Sequence, residues 1–244
     1  MRKQLRTLEI SATMSAPHRA LYRQDRSVRR WVRPIRAALM ATLPRSLVVW
    51  RGPDNRREVS LTLDDGPDPA YTPRILEILK AHQVRATFFL IGEKATRHGA
   101  LVARILADGH QIGNHSYSHP NFSGLSWKAA RNEIATTRRV LEELQPGRTC
   151  RLFRPPHGTV CAASTFVPWL KGNTVVLWNV DFKDFRAEQP AEITNRVSAR
   201  RFAPGDIILY HGHNPAALGA LPCILQSAQH EGLTFVPVSR MCHV

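Results

Sequence analysis

The sequence predicts an α/β domain of parallel strands wrapped by helices over residues 58–244, preceded by a basic extension at residues 1–57. Three observations lead there. Strand-like runs alternate with helix-like segments, giving seven β-α units in about 185 residues. The helix-like segments start and stop at residues that start and stop helices. Polar residues able to do chemistry stand at the C-terminal ends of the strand-like runs, where α/β folds place their sites. From these alone the sheet could be an open doubly wound one or a barrel. No glycine-rich phosphate loop follows the first strand, which counts against a nucleotide-binding fold.

The first run, Val59–Asp65, alternates Val59, Leu61 and Leu63 with small polar residues and ends in Asp64 and Asp65, ahead of a Gly66-Pro67 turn. The others are Ala86–Gly92, His110–His115, Arg151–Pro156, Thr174–Asp181, Asp206–His211 and Leu233–Ser239. Thr72 as N-cap with Pro73 in the first turn opens TPRILEILKAH. Gly109 closes LVARILAD, and Gly232 closes PAALGALPCILQSAQHE. Ser126 opens WKAARNEIATTRRVLEEL, which Pro146-Gly147 stops. The chain of 244 residues is long enough to bury one substantial core, and it shows no internal repeat.

The formal net charge of +15 is uneven. Residues 1–57 hold 14 Arg and Lys against 3 Asp and Glu, whereas the remainder holds 20 against 16. Val28, Trp31, Val32, Ile35 and Leu39 fall at helical spacing with arginines between them, so residues 26–43 suit a basic amphipathic helix on an anionic membrane surface. Pro34 opposes a continuous helix, at about 3 kcal/mol. The opposing expectation is an extension packed on the domain. Nucleic acid is a poor partner, because the charge is confined to one arm and only Trp31 offers a stacking platform. No stretch approaches the roughly 18 apolar residues that span a bilayer, and the first residues lack the apolar core of a signal peptide. A cytoplasmic or membrane-peripheral location is the expectation. Four cysteines without a C-x-x-C pair read as buried thiols, with one or two disulfides as the alternative.

Five strand ends carry reactive residues: Asp64-Asp65, His115 with His119, Arg154, Asp181 with Asp184, and His211. In regular strand geometry Asp64 and Asp65 diverge, but a turn can bring both to one cavity with different neighbours and different tasks. His115, His119 and one of these carboxylates form a two-His, one-carboxylate ligand set. Such a set suits a catalytic zinc with an open position, and it also suits a non-haem iron. A spare carboxylate and a separate histidine favour hydrolysis, where one proton is removed and another supplied.

LTLDDGPD, HSYSH, RPPHG, DFKDF and LYH, in this order, resemble the five motifs of the polysaccharide deacetylase family, the NodB homology domain of carbohydrate esterase family 4. The similarity runs from about Val59 to His211 and extends to ATFFLIG and GHQIGNH. It implies a distorted (β/α)7 barrel and metal-dependent removal of N-acetyl groups from GlcNAc-containing glycans of chitin, peptidoglycan or lipid-linked type. Carried over residue by residue, it implies Asp65, His115 and His119 as metal ligands for a divalent ion, Zn2+ first and Co2+ or another transition metal second. Asp64 matches the general base and Arg154 the residue that holds it. His157 matches the position whose N–H stabilises the oxyanion. His211 matches the general acid, Asp184 its tuning partner, and Leu209 and Phe185 the pocket walls. The sequence departs from the family at three places. His157 stands where Tyr is usual, Phe185 where Trp is usual, and Leu63 where Phe is usual. His213 reads as a loop residue. The same set could cleave O-acetyl esters, and loss of the base or a ligand would have marked a silent carbohydrate-binding module.

Overall fold

The computed structural model describes residues 43–242. In chain order these form β1 (Val48–Val49), β2 (Glu58–Gly66), α1 (Thr72–Ala81), β3 (Thr87–Leu90), α2 (Gly92–Arg97), α3 (Gly99–Ala107) and β4 (Gln111–Asn114). There follow α4 (Trp127–Leu144), β5 (Leu152–Phe153), α5 (Ala162–Trp169), β6 (Thr174–Val176), β7 (Val180–Asp181) and α6 (Pro190–Ser198). The chain then gives β8 (Ile207–Tyr210), α7 (Pro215–His230), β9 (Thr234–Phe235) and α8 (Val238–Cys242). Every strand pairing is parallel, in the order β1-β6-β5-β4-β3-β2-β8-β7, with β9 added to the start of β2.

The run Thr174–Asp181, expected as one strand, is two. Its first half pairs with β5 and β1, and its second half with β8. A single short stretch thus joins the two ends of the sheet and curls it into the distorted barrel that the motifs implied. The two halves pair with strands at opposite ends of the sheet order, so the run leaves one ladder before it joins the other and its middle belongs to neither.

Strand β2 lies at the centre, and its alternation sends its two faces to different places. Val59, Leu61 and Leu63 join the core beneath α1 and α7, with Ile75, Leu76, Leu79, Leu221 and Leu225. Ser60, Thr62 and Asp64 point the other way and are also buried. Small polar residues on this strand therefore line the barrel interior instead of meeting solvent, and Thr62 Oγ1 donates to the Ile208 carbonyl at 2.6 Å.

The expected helix ends are largely present. Ser126 Oγ accepts from the Ala129 N–H at 3.2 Å and opens α4. Gly109 and Gly232 take the left-handed conformation after α3 and α7, at φ +81 and +71. At α1 the expectation is corrected. Tyr71 is the N-cap, while Thr72 is helical and its hydroxyl accepts from the Asp68 N–H. Asp68 Oδ1 in turn takes the N–H groups of Ala70 and Tyr71.

The sheet begins earlier than residue 58. Val48 and Val49 pair with Val175 and Val176, and the Gly52 N–H donates to the Gly205 carbonyl at 2.7 Å. Residues 26–42 of the amphipathic segment expected to meet a membrane lie outside the described residues. Among the described residues, no helix is long and apolar enough to cross a membrane. All four cysteines are free thiols, and burial pushes Cys150 and Cys242 up to about 12.

Gly205 seats the segment before β2. It sits at φ +84, and a Cβ there would fall 2.5 Å from the Gly52 carbonyl oxygen. Gly205→Ala is expected to lower stability by roughly 2 kcal/mol in urea denaturation, since both the backbone and the contact must yield. An unchanged midpoint would contradict this seating.

Candidate active site

The two carboxylates reach one cavity through a bulge. Leu63 pairs with Phe88 and Gly66 with Leu90, so Asp64 and Asp65 occupy an irregular stretch of the β2–β3 ladder. Asp65 is left-handed at φ +67, a conformation costing about 1–2 kcal/mol for a residue other than glycine. That turn cancels the strand's alternation and swings the Asp65 carboxylate toward the end of β4.

There the chain carries His115 and His119 on a loop with its own left-handed residues, Ser116 at φ +65 and His119 at φ +61. The loop is pinned from α4. Glu133 Oε2 accepts the N–H groups of Tyr117 and Ser118, each at 2.8 Å, and Glu133 Oε1 accepts the Ser118 hydroxyl. Asn114 Nδ2 donates to the Ile134 carbonyl, while its Oδ1 takes the Ser116 N–H. Sequence reasoning did not find Glu133, because nothing marks one helix glutamate among several as a loop anchor.

The ligand atoms of Asp65, His115 and His119 lie within 4.8 Å of one another. Asp65 Oδ1 stands 3.4 Å from His115 Nε2 and 3.2 Å from His119 Nε2. These are ion-pair separations without aligned N–H groups, so this buried oxygen accepts no hydrogen bond. His115 Nδ1 contacts the Arg154 carbonyl at 2.8 Å, which requires the proton on Nδ1 and turns the Nε2 lone pair toward the carboxylate. A lone pair facing a carboxylate repels unless a cation lies between them. Atoms about 2.0–2.2 Å from a tetrahedral ion are about 3.4 Å apart, close to the two distances from Asp65 Oδ1. The three side chains therefore fit a divalent metal.

Asp64 has different neighbours. Its Oδ1 accepts from Arg154 Nη1 at 2.7 Å. Arg154 is completely buried, and each of its nitrogens is engaged: Nη1 also reaches Thr62 Oγ1, Nε the Val176 carbonyl, and Nη2 the Leu177 carbonyl. Its guanidinium lies 4.2 Å from the Phe89 ring centre. Burial draws its pKa down and the adjacent Asp64 carboxylate opposes this.

Across the cavity, His211 Nδ1 meets Asp184 Oδ1 at 3.0 Å, and Asp184 Oδ2 takes the N–H groups of His211 and Gly212. Burial works against charging His211, but the Asp184 bond and charge, with Asp64 and Asp65 beyond, prevail and raise it to about 9. Burial likewise opposes charge on Asp184, whose bonds from His211 and Gly212 nonetheless lower its pKa.

The cavity itself, about 420 Å³, is lined by Asp64, Asp65, His119 and His211, with Leu63, Ile75, Phe88 and Ile91 as its apolar wall. Leu209 is buried in β8 and is not among these wall residues. Phe185 stands edge-on to His211 with ring centres 5.2 Å apart. His157, at φ +58, packs edge-on to His119 at 4.6 Å. Burial lowers its pKa, and the imidazole of His119 adds to that. His213, read from sequence as a loop residue, does lie in a loop but also lines the cavity, 5.5 Å from the His211 ring. Burial and the His211 charge lower its pKa. Lys94, Asp68 and Tyr71 line it too. Lys94 could have been suspected, since it follows the end of β3.

Known proteins resemble this chain in sequence and in fold. A family model described as "Polysaccharide deacetylase" matches residues 51–167. A peptidoglycan-N-acetylglucosamine deacetylase of Bacillus cereus is 40% identical over 194 residues, covering 78% of this chain and 70% of that protein. A chitooligosaccharide deacetylase of Azorhizobium caulinodans is 31% identical over 200 residues, covering 75% of this chain and 94% of that one. The solved Bc1960 peptidoglycan N-acetylglucosamine deacetylase superposes with a TM-score of 0.75 at 38% identity, over 80% of this chain and 92% of that one.

Two outcomes test this geometry. Arg154→Met strands the buried Asp64 carboxylate and is expected to cost about 3–5 kcal/mol in urea denaturation. A loss below about 1 kcal/mol would contradict a coupled buried pair. In metal-free protein, His211 should titrate near 9 by NMR and shift down in Asp184→Asn. Because the folded value is raised, the stabilisation is complete below about 6.5 and is lost as pH rises through about 9. A His211 midpoint near 6.5 in the wild type would contradict the coupling.

Proposed function

The chain belongs to the polysaccharide deacetylase family, and we propose that it hydrolyses N-acetyl groups of GlcNAc-containing glycans, peptidoglycan-like or chitooligosaccharide-like, with Zn2+ as the working metal. The observation that carries this reading is Asp65 Oδ1, buried, without a hydrogen-bond donor, and facing two imidazole Nε2 atoms. Two nitrogens and one oxygen on borderline ligands suit zinc better than magnesium or calcium.

A bound divalent ion would supply Lewis acidity and lower the pKa of a water from 15.7 to about 7. The remaining work falls to the chain's own side chains. Asp64, oriented by Arg154 Nη1, accepts the proton of the attacking water. Its fixed bond to a buried guanidinium keeps one oxygen engaged and leaves the other, Oδ2, on the side of His115 at 3.8 Å. As the acetyl carbon becomes tetrahedral, charge grows on its oxygen, and the His157 N–H is the donor we assign to it. His211, raised to about 9 and so protonated at neutral pH, delivers a proton from Nε2 to the departing amine while Asp184 holds Nδ1. Leu63, Ile75, Phe88 and Ile91 offer the acetyl methyl an apolar surface, and Leu209 and Phe185 remain the positions that the family motifs assign to the pocket. The reading extends to residues 26–43, whose apolar residues at helical spacing with arginines between them suit peripheral contact with an anionic membrane.

Asp64→Asn should reduce acetate release from N-acetyl chitooligomers or peptidoglycan by about 10²–10⁴-fold while leaving zinc uptake intact, since only Asp65 of the pair faces both histidines. Activity in the purified variant equal to wild type would overturn the assignment. Release from acetylated xylan alone would instead make the enzyme an esterase.

A further inference from the structure

Lys94 has no part in the chemistry above, yet it touches the site at its most strained point. The carbonyl of Asp65, turned out of regular strand geometry at φ +67, accepts from Lys94 Nζ at 2.8 Å. Lys94 sits on α2, a single six-residue helix that starts two residues after β3 ends. The same helix grips the histidine loop. The Gly92 N–H donates to the Ser116 carbonyl at 2.9 Å, and the Glu93 N–H donates to the Tyr117 carbonyl at 3.0 Å. Its close approach to that loop is built in: a Cβ at Gly92 would fall 2.6 Å from Thr137 Oγ1 and 2.7 Å from Tyr117 Cδ2. One short helix thus bonds to both left-handed segments that carry the ligand set, Asp65 on one side and Ser116–His119 on the other.

We propose that Lys94 is a positioning residue: it locks the left-handed turn at Asp65 and ties that turn, through α2, to the loop carrying His115 and His119, so that the three ligand atoms are held together before a metal arrives. This rests on the reading of those three residues as metal ligands. The other supports of the Asp65 turn are backbone bonds, such as the Ile91 N–H to the Gly66 carbonyl at 2.9 Å. They fix the chain after Asp65 and leave the orientation of its own peptide group to Lys94. The ammonium is well placed for this, because it borders the cavity and can reach a carbonyl that the ladder no longer pairs.

The test is zinc affinity, measured by competition with a chromophoric chelator on the full chain, for wild type, Lys94→Met and Lys94→Arg. Lys94→Met keeps the aliphatic stem and removes the donor. It is expected to weaken zinc binding about 10–100-fold, with metal-free melting unchanged and kcat largely restored at saturating zinc. Lys94→Arg, which keeps a donor, should recover most of the affinity. Wild-type zinc affinity in Lys94→Met overturns the proposal. So does a raised KM at unchanged zinc affinity, which would make Lys94 a substrate contact. If Lys94→Met fails to fold, Lys94→Arg decides: affinity no better than a chelated ligand-loss control such as His119→Ala counts against a hydrogen-bonding role. A wild type that takes up no zinc removes the ligand reading itself, a result distinct from any of these.

Discussion

Adjacent residues on a strand face opposite ways, and this protein needs two adjacent carboxylates in one cavity with different partners. The left-handed bulge at Asp65 meets that constraint, and much else follows from it. Asp64 keeps the strand's inward direction and meets Arg154; Asp65 leaves it and meets two imidazoles. A single backbone inversion thereby separates the carboxylate paired to a guanidinium from the one that faces two imidazoles. Both carboxylates are chemically alike, so their division of labour comes from neighbours and not from residue type.

Holding this arrangement requires buried polar groups to be satisfied in concert. Arg154 gathers β2, β5 and the β6–β7 crossing through Asp64, Thr62 and the carbonyls of Val176 and Leu177. Those last two carbonyls lie where the sheet changes partners and ladder bonding lapses, so the guanidinium supplies donors that the strand cannot. Opposite it, Asp184 satisfies two N–H groups while fixing His211. The site is therefore stiff on both sides for reasons of hydrogen bonding, and the barrel's missing regularity is compensated where its chemistry sits. A catalytically silent version of this fold would tolerate loss of Asp65 or Asp64. Here both carboxylates are present, and Asp65 lies together with His115 and His119.

Much of this was legible in the chain. Apolar periodicity located the strands, and Ser126, Gly109 and Gly232 marked helix ends, because those signals are local. The grouping of Asp65, His115 and His119 was legible because the motifs that carry them are short and contiguous. Other features depended on distant partners. The split of Thr174–Asp181 follows from pairing with β1 on one side and β8 on the other, which apolar content cannot report. Strand β1 was hidden within a basic stretch, since two residues give no periodicity. Thr72 looked like a cap because Pro73 follows it, but Asp68 reaches the preceding N–H groups first. Lys94, Glu133 and His213 act across loops, and no spacing rule ties them to the residues they touch.

The central claim is that Asp65, His115 and His119 bind one divalent ion. Anomalous diffraction at the zinc edge, from crystals grown with one equivalent of zinc, tests it directly. One dominant peak is expected about 2.0–2.2 Å from Asp65 Oδ1 and from Nε2 of both histidines, with Asp64 outside that shell and still paired to Arg154. A peak coordinated by Asp64 in place of Asp65, or no peak among these side chains, would contradict it.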